Sequence, residues 1–304
     1  MKINTITKLF LCLTFFTSLS VFAQLNLPRN SQQAKVSQRI GITDITIMYS
    51  RPSVNDREIW GQLVPYGMNN LGFGTAKESP WRAGADENTV IKFSHNVNVE
   101  GKPLKAGKYG FHIIVNENDT ATLIFSKDYK AWGSYFYKPE NDALRVDVAT
   151  KEVPHTELLT YLFDDITPNS ATVTLKWAKK GFPFKVEVDV PAIVLNNLRS
   201  EFDGQNGFQR QNWEQAANYA LNNGGDLEEA LGWINNAIAG KFFSQKNFNN
   251  LSIKSQILAK MGKEDEANAA MDAALGEASI FQVHQYGRTL IGQGKKDKAL
   301  KIFK

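Results

Sequence analysis

The spacing of apolar residues changes once along this 304-residue chain, near residue 195. That change constrains the fold more than any other feature. Before it, apolar and polar residues alternate in short runs. After it, apolar residues recur every three or four positions. Alternation puts successive side chains on opposite faces of a strand, whereas the longer period gathers them on one stripe of a helix. One layer cannot satisfy both, so two units in series are predicted. They are an all-β N-terminal domain, sandwich or barrel-like, over 24–194, and an all-α helical-repeat C-terminal domain over 195–304.

The β signals are dense. Asp44–Tyr49, Thr89–Phe93, Val97–Val99, Tyr109–Val115, Ala121–Phe125 and Leu144–Val148 read as strands. The polar step Asn116–Asp119 makes a hairpin of the fourth and fifth. Leu158–Asp164, Ala171–Trp177 and Phe184–Val190 complete the set, with turns expected at Pro168–Ser170 and Lys179–Gly181. Pro183 cannot donate to a ladder, so a strand start or an edge is expected there.

In the helical half three segments share one register. Gly225 leads to Ala230, Gly262 to Ala267 and Gly294 to Ala299, each through four mainly charged residues. A glycine can end one helix in a left-handed conformation, and a small alanine lets the next helix pack close. Ile234, Met271 and Phe303 lie four residues beyond the alanines, and Gly287 lies seven before the last glycine. The glycines are 37 and 32 residues apart, on either side of the period of about 34 of a tetratricopeptide repeat, which this array resembles. The tryptophan, tyrosine and proline positions of that family's pattern are not matched. The register stops inside the second helix of its third unit, so Ile302 and Phe303 are expected to lie uncovered, open to the β domain or to self-association.

The N-terminus carries an address. Lys2 and Lys8 flank a positive start, Leu9–Phe16 is apolar, and Val21-Phe22-Ala23 precedes Gln24. This is the layout of a secretory signal peptide, 1–23, cut after Ala23. The protein is therefore expected to be exported, periplasmic or extracellular, and soluble after cleavage. No later stretch is apolar enough for a membrane helix. The only cysteine, Cys12, leaves with the signal, which excludes disulfides and thiolate metal sites from the mature chain. The formal net charge of +4 loses two positives in the same step, so no nucleic-acid partner is called for. His95, His112, His155 and His284 are scattered without metal-ligand spacing, and no cofactor motif occurs. His112 is expected to hydrogen-bond in or beside the core.

The densest polar and aromatic block runs from Ser50 to Glu87. Arg51, Arg57 and Arg82 can make bidentate contacts to carboxylate or phosphate. Trp60, Tyr66, Trp81 and Trp132 could form a stacking platform for a sugar or peptide, and Asp86 and Glu87 could serve as acid and base. The plainer alternative is that Arg51 and Arg82 pair with Asp56, Asp86 or Glu87 to pin irregular loops, with the tryptophans as core plugs. The block carries Tyr49-Ser50-Arg51-Pro52, Arg57-Glu58-Ile59-Trp60-Gly61, Val64-Pro65-Tyr66-Gly67 and Trp81-Arg82-Ala83-Gly84-Ala85-Asp86-Glu87. Ala106-Gly107-Lys108-Tyr109 and Trp132-Gly133 follow in order. Over roughly 32–190 the chain resembles the exported bacterial family catalogued as domain of unknown function 2911. The resemblance implies a β-rich fold and export, and no activity. Met68–Pro80 is longer than the corresponding link of the family pattern.

With no catalytic signature, the sequence reads as an exported, non-catalytic binding protein that docks a protein or peptide of the cell envelope on its helical repeats. The alternative is a carbohydrate- or small-ligand-binding protein, or a hydrolase, that uses the arginine, tryptophan and carboxylate block.

Overall fold

The structure, a computed structural model, describes residues 27–303. The expected signal peptide lies outside the described residues. Ten strands come first: β1 Gln32–Ile40, β2 Thr43–Arg51, β3 Thr89–Phe93, β4 Val97–Val99, β5 Lys102–Leu104, β6 Gly107–Val115, β7 Thr120–Ser126, β8 Asp142–Ala149, β9 Lys151–Asp164 and β10 Ser170–Glu187. They form a six-stranded sheet of order β1-β2-β3-β6-β7-β8 and a four-stranded sheet of order β5-β4-β10-β9, antiparallel at every pairing.

Alternation explains the stacking. In β2, Ile45 and Ile47 point inward and are fully buried, while Met48 between this face and the next is exposed. Phe111 and Phe125 of the larger sheet meet Phe184 of the smaller one at ring separations of 5.5 and 6.0 Å. The two inner faces thus share one core, which makes the unit a β-sandwich.

Two local expectations are corrected. The chain does not turn at Lys179–Gly181: β10 runs 18 residues through it. Its register against β9 shifts on both sides of Ala178, which takes φ +50°. A bulge absorbs the extra residue and re-aims the neighbouring side chains. Pro183 is neither at a strand start nor on an edge. It sits inside β10, between the ladder to β9, which ends at Gly181, and the ladder to β4, which begins at Val186. No ladder N–H is demanded of it there.

Seven helices follow among the described residues: α1 Val190–Phe202, α2 Arg210–Asn222, α3 Leu227–Ile238, α4 Phe248–Lys260, α5 Glu264–Gly276, α6 Ile280–Gly292 and α7 Lys296–Phe303. The helical pattern thus begins five residues before the expected position, at Val190. Asp189 caps α1 by accepting from the Ala192 amide at 3.1 Å. Val190 and Ile193 pack on the sandwich core, while Leu195, Leu198 and Phe202 join the helical core, so α1 belongs to both.

The remaining helices pair as α2–α3, α4–α5 and α6–α7. Each second helix opens alike. The amides of Ala230, Ala267 and Ala299 donate to the carbonyls of Asp226, Lys263 and Lys295, four residues back. All three alanines are buried. The left-handed residue ending each first helix is Gly224, Gly262 and Gly294, at φ +75°, +78° and +74°. In the first hairpin it is therefore Gly224 and not Gly225, because that turn holds one residue more. Ala217, Ser255 and Gly287 occupy the equivalent small position seven residues before each glycine, and all are buried. A side chain at Gly287 would collide with the ring of Phe303, so Phe303 is partly covered by its own hairpin and otherwise exposed.

Candidate functional site

Four connections crowd one end of the sandwich: Pro52–Tyr66, Met68–Pro80, Trp81–Asn88 and Lys127–Lys138. Each is tied to a strand. The Leu159 amide donates to Pro52 O at 3.0 Å, and Val54 N to Glu157 O at 2.9 Å. Trp81 exchanges both backbone hydrogen bonds with Ile113 of β6, at 2.9 and 2.8 Å. The long Met68–Pro80 link is closed by the Asn69–Ser79 bridge and anchored by the Thr75 and Ala76 amides on Tyr135 O. At Gly74, φ +86°, any side chain would strike the Tyr135 backbone. This close approach requires glycine.

Between these connections lies a cleft of about 620 Å³. Its walls carry Asn55, Arg57 and Leu63 on one side, Asn69, Leu71 and Ser79 of the long link on another, and Trp81, Arg82 and Gly84–Asp86 on a third. Ser134 and Trp177 lie at its buried side, each 1 % exposed. Trp81 stacks on Trp177 at 5.9 Å with 13° between planes. Trp60 stands edge-on behind both, at 5.6 and 6.0 Å, with Phe182 beside it. The bulge in β10 permits this, because Trp177 and its neighbour Ala178 both face the core.

The arginines do not make the ion pairs that the plainer alternative requires. Arg51 donates to Leu159 O at 2.9 Å and to Thr160 Oγ1 at 2.6 Å, away from the cleft. Arg57 donates to Val54 O at 3.0 Å and Ser53 O at 2.6 Å. Arg82 donates to the Asp86 carbonyl at 2.7 Å, and its guanidinium lies over the Tyr135 ring at 4.9 Å. Glu87 turns away and pairs with Arg29. Burial works to raise the Glu87 pKa, but the hydrogen bond and charge of Arg29 outweigh it and hold the carboxyl below the usual carboxylate range.

Of the expected site residues, the fold therefore brings Arg57, Trp81, Arg82 and Asp86 to one cleft with Trp60 packed behind. Arg51 is spent on β9. Tyr66 lies against Gly61 and Trp132 is half exposed, neither of them on the cleft wall.

Residues the motif reading missed are Trp177, Ser134, Asn55 and Asn69. Only the irregular alternation Trp177-Ala178, before Phe182 and Phe184, signals a bulge; the rest depend on loop closure. His112 lies beneath the cleft, 2 % exposed, with Nδ1 3.0 Å from Ser134 Oγ. It hydrogen-bonds within the core, as its place in a strand suggested. Burial, aided by the charge of Arg82 and opposed by Asp128, pushes its pKa down to about 4.

Gly133, at φ +56°, presses on Arg82: a Cβ there would lie 2.5 Å from the guanidinium carbon. Gly133→Ala is expected to lower the melting temperature by roughly 2–4 °C, through about 1 kcal/mol of backbone strain. It should also swing Arg82 off Tyr135, which calorimetry and a crystal structure of the variant would check.

The family model described as protein of unknown function (DUF2911) matches residues 31–186. No curated protein matches, and no solved structure matches.

Proposed function

We propose, for a chain that belongs to the DUF2911 family of proteins of unknown function, that it is an exported, non-catalytic binding protein whose β-sandwich takes a small polyhydroxyl ligand, a saccharide, in the Trp81 cleft. The observation that carries this is the partly buried Trp81 on the cleft wall, stacked on a fixed Trp177 and flanked by the amides of Asn55 and Asn69 and by Arg57, Arg82 and Asp86. An aromatic face covers the apolar face of a sugar ring, and surrounding amide, guanidinium and carboxylate groups match hydroxyls that both donate and accept. Arg82 and Asp86 are within the matched segment, as are Arg57 and Trp60. Catalysis by Asp86 and Glu87 is disfavoured because Glu87 is held by Arg29 outside the cleft wall.

Glycan-array binding of Gln24–Lys304 tests this, with two variants beside it. Trp81→Ala should weaken the bound glycan roughly tenfold. Trp132→Ala, outside the cleft, should leave it unchanged. Equal loss in both, or in neither, contradicts the assignment.

A second reading rests on the helical half. A groove of about 510 Å³ opens between α4, α5, α6 and α7, lined by Phe248, Gln256, Asn268, Gln282, Gln285 and Tyr286. With the recurrent glycine and alanine register, it supports a degenerate tetratricopeptide-like array that docks a protein or peptide of the envelope. Under this reading Tyr286→Ala loses a crosslinked envelope partner that Trp81→Ala retains, and the opposite pattern rejects it. The exposed Leu300 and Phe303 on α7 mark where self-association would occur.

A further inference from the structure

The cleft presents more hydrogen-bond donors than its own acceptors use. Arg57 and Arg82 both line it, and neither meets a carboxylate within 4 Å among the described residues. Arg57 has Nη1, and Arg82 has Nε and Nη2, without a protein acceptor there. The loop Ala83–Asp86 turns its carbonyls to the protein. Ala83 O accepts from Thr89 Oγ1 at 3.0 Å and from Tyr161 Oη at 2.8 Å, and Asp86 O accepts from Arg82 at 2.7 Å. Ala83 and Asp86 are left-handed, at φ +51° and +59°. The intervening amides of Gly84, Ala85 and Asp86 donate to no acceptor among the described residues. Successive amides in such a turn form a concavity that suits an oxyanion. Trp177, on the buried side of the cleft, has an indole N–H with no partner. A buried donor left unmatched is costly, and Trp60 behind it carries a second unpartnered indole N–H. Among the described residues Asp86 is the only carboxylate on the wall, set against two guanidinium groups.

We propose that the saccharide taken by this cleft carries an oxyanion, a uronate carboxylate or a sugar phosphate, held by Arg82, Arg57 and the Gly84–Asp86 amides. This rests on the saccharide reading of the cleft. Arg82 supplies the fixed contact, since Tyr135 and Gly133 confine its guanidinium. Arg57, exposed at the rim and held by the Val54 and Ser53 carbonyls, supplies the second one through Nη1.

The test uses the mature full chain labelled with ¹⁵N. The probes are gluco-, galacto- and manno-configured hexoses, their 6-phosphates and their uronates, which share a ring and differ at C6. The expected result is that one charged class shifts the Trp177 indole and the Gly84–Asp86 amides at about tenfold lower concentration than the neutral hexose. Whether phosphate or carboxylate does so identifies the oxyanion, and inorganic phosphate alone separates anion capture from sugar recognition. Arg82→Gln should erase the preference, and Arg57→Gln, at an exposed position, should reduce it without disturbing the fold. If neutral and charged sugars shift these signals equally, the oxyanion inference fails while the saccharide reading stands. If no probe moves any cleft signal while the spectrum stays folded, both fail.

Discussion

Trp177→Ala should lower the melting temperature of the β-sandwich by on the order of 10 °C. Trp177 is among the largest fully buried side chains. It is stacked on Trp81 and edge-on to Trp60, so its removal opens a void between two sheets that β10 and its bulge cannot collapse. Emptying a tryptophan-sized core site costs about 3–5 kcal/mol, and a unit of this size shifts by roughly 2–4 °C per kcal/mol. Calorimetry on the purified chain checks it. Trp177→Phe separates packing from chemistry: it should recover most of the stability and still lack the unpartnered N–H. Loss of ligand affinity in the phenylalanine variant, beyond its loss of stability, would then point to that N–H. If Trp177→Ala melts within a degree or two of the wild type, the account of the cleft as built on a rigid tryptophan floor is wrong.

The second large effect is on acid stability. His112 is buried and neutral, with its folded pKa depressed to about 4 against an ordinary value of 6.5. Between those values the unfolded chain binds a proton that the folded chain refuses, so stability rises with pH across this window. The contribution is fully present above about 6.5 and is lost as pH falls to about 4. Its size is about 3 kcal/mol, or on the order of 10 °C in melting temperature. His112→Gln can keep a hydrogen bond to Ser134 and cannot protonate. The difference in melting temperature between variant and wild type should therefore change by that amount from pH 7 to pH 4, with the variant gaining on the wild type as pH falls. A constant difference across the window would show that His112 is solvated or already charged in the fold.

Much of the architecture was legible in the sequence for simple reasons. Alternation in Thr43–Arg51 and Tyr109–Val115 puts alternate residues in the core whatever the neighbouring strands are. The alanines Ala230, Ala267 and Ala299 are each the fourth residue of their helix, where a small side chain is buried. The departures have local causes. Lys179–Gly181 has turn composition, yet the strand on either side is long enough to carry a bulge through it. Gly224 and Gly225 are adjacent, and only the helix geometry selects which one becomes left-handed.

The site was legible in part. Trp81, Arg82 and Asp86 are close in sequence and on one loop, so their proximity needed no tertiary information. Trp177 and Ser134 reach the same cleft from β10 and from the loop before β8, and no spacing in the chain links them to it. Arg51 shows the converse. It belongs to the same sequence block, yet β2 delivers it to Leu159 and Thr160 on a neighbouring strand, and it does not line the cleft.

Hydroxyl-radical footprinting of the full mature chain, alone and with an envelope glycan extract, locates the binding surface without prior identification of the ligand. If the saccharide binds the sandwich cleft, protection concentrates at Trp81, Leu63 and Leu71, with Phe248 and Tyr286 of the helical groove unchanged. Protection at Phe248 and Tyr286 with Trp81 as reactive as before would contradict it and place recognition on the helices.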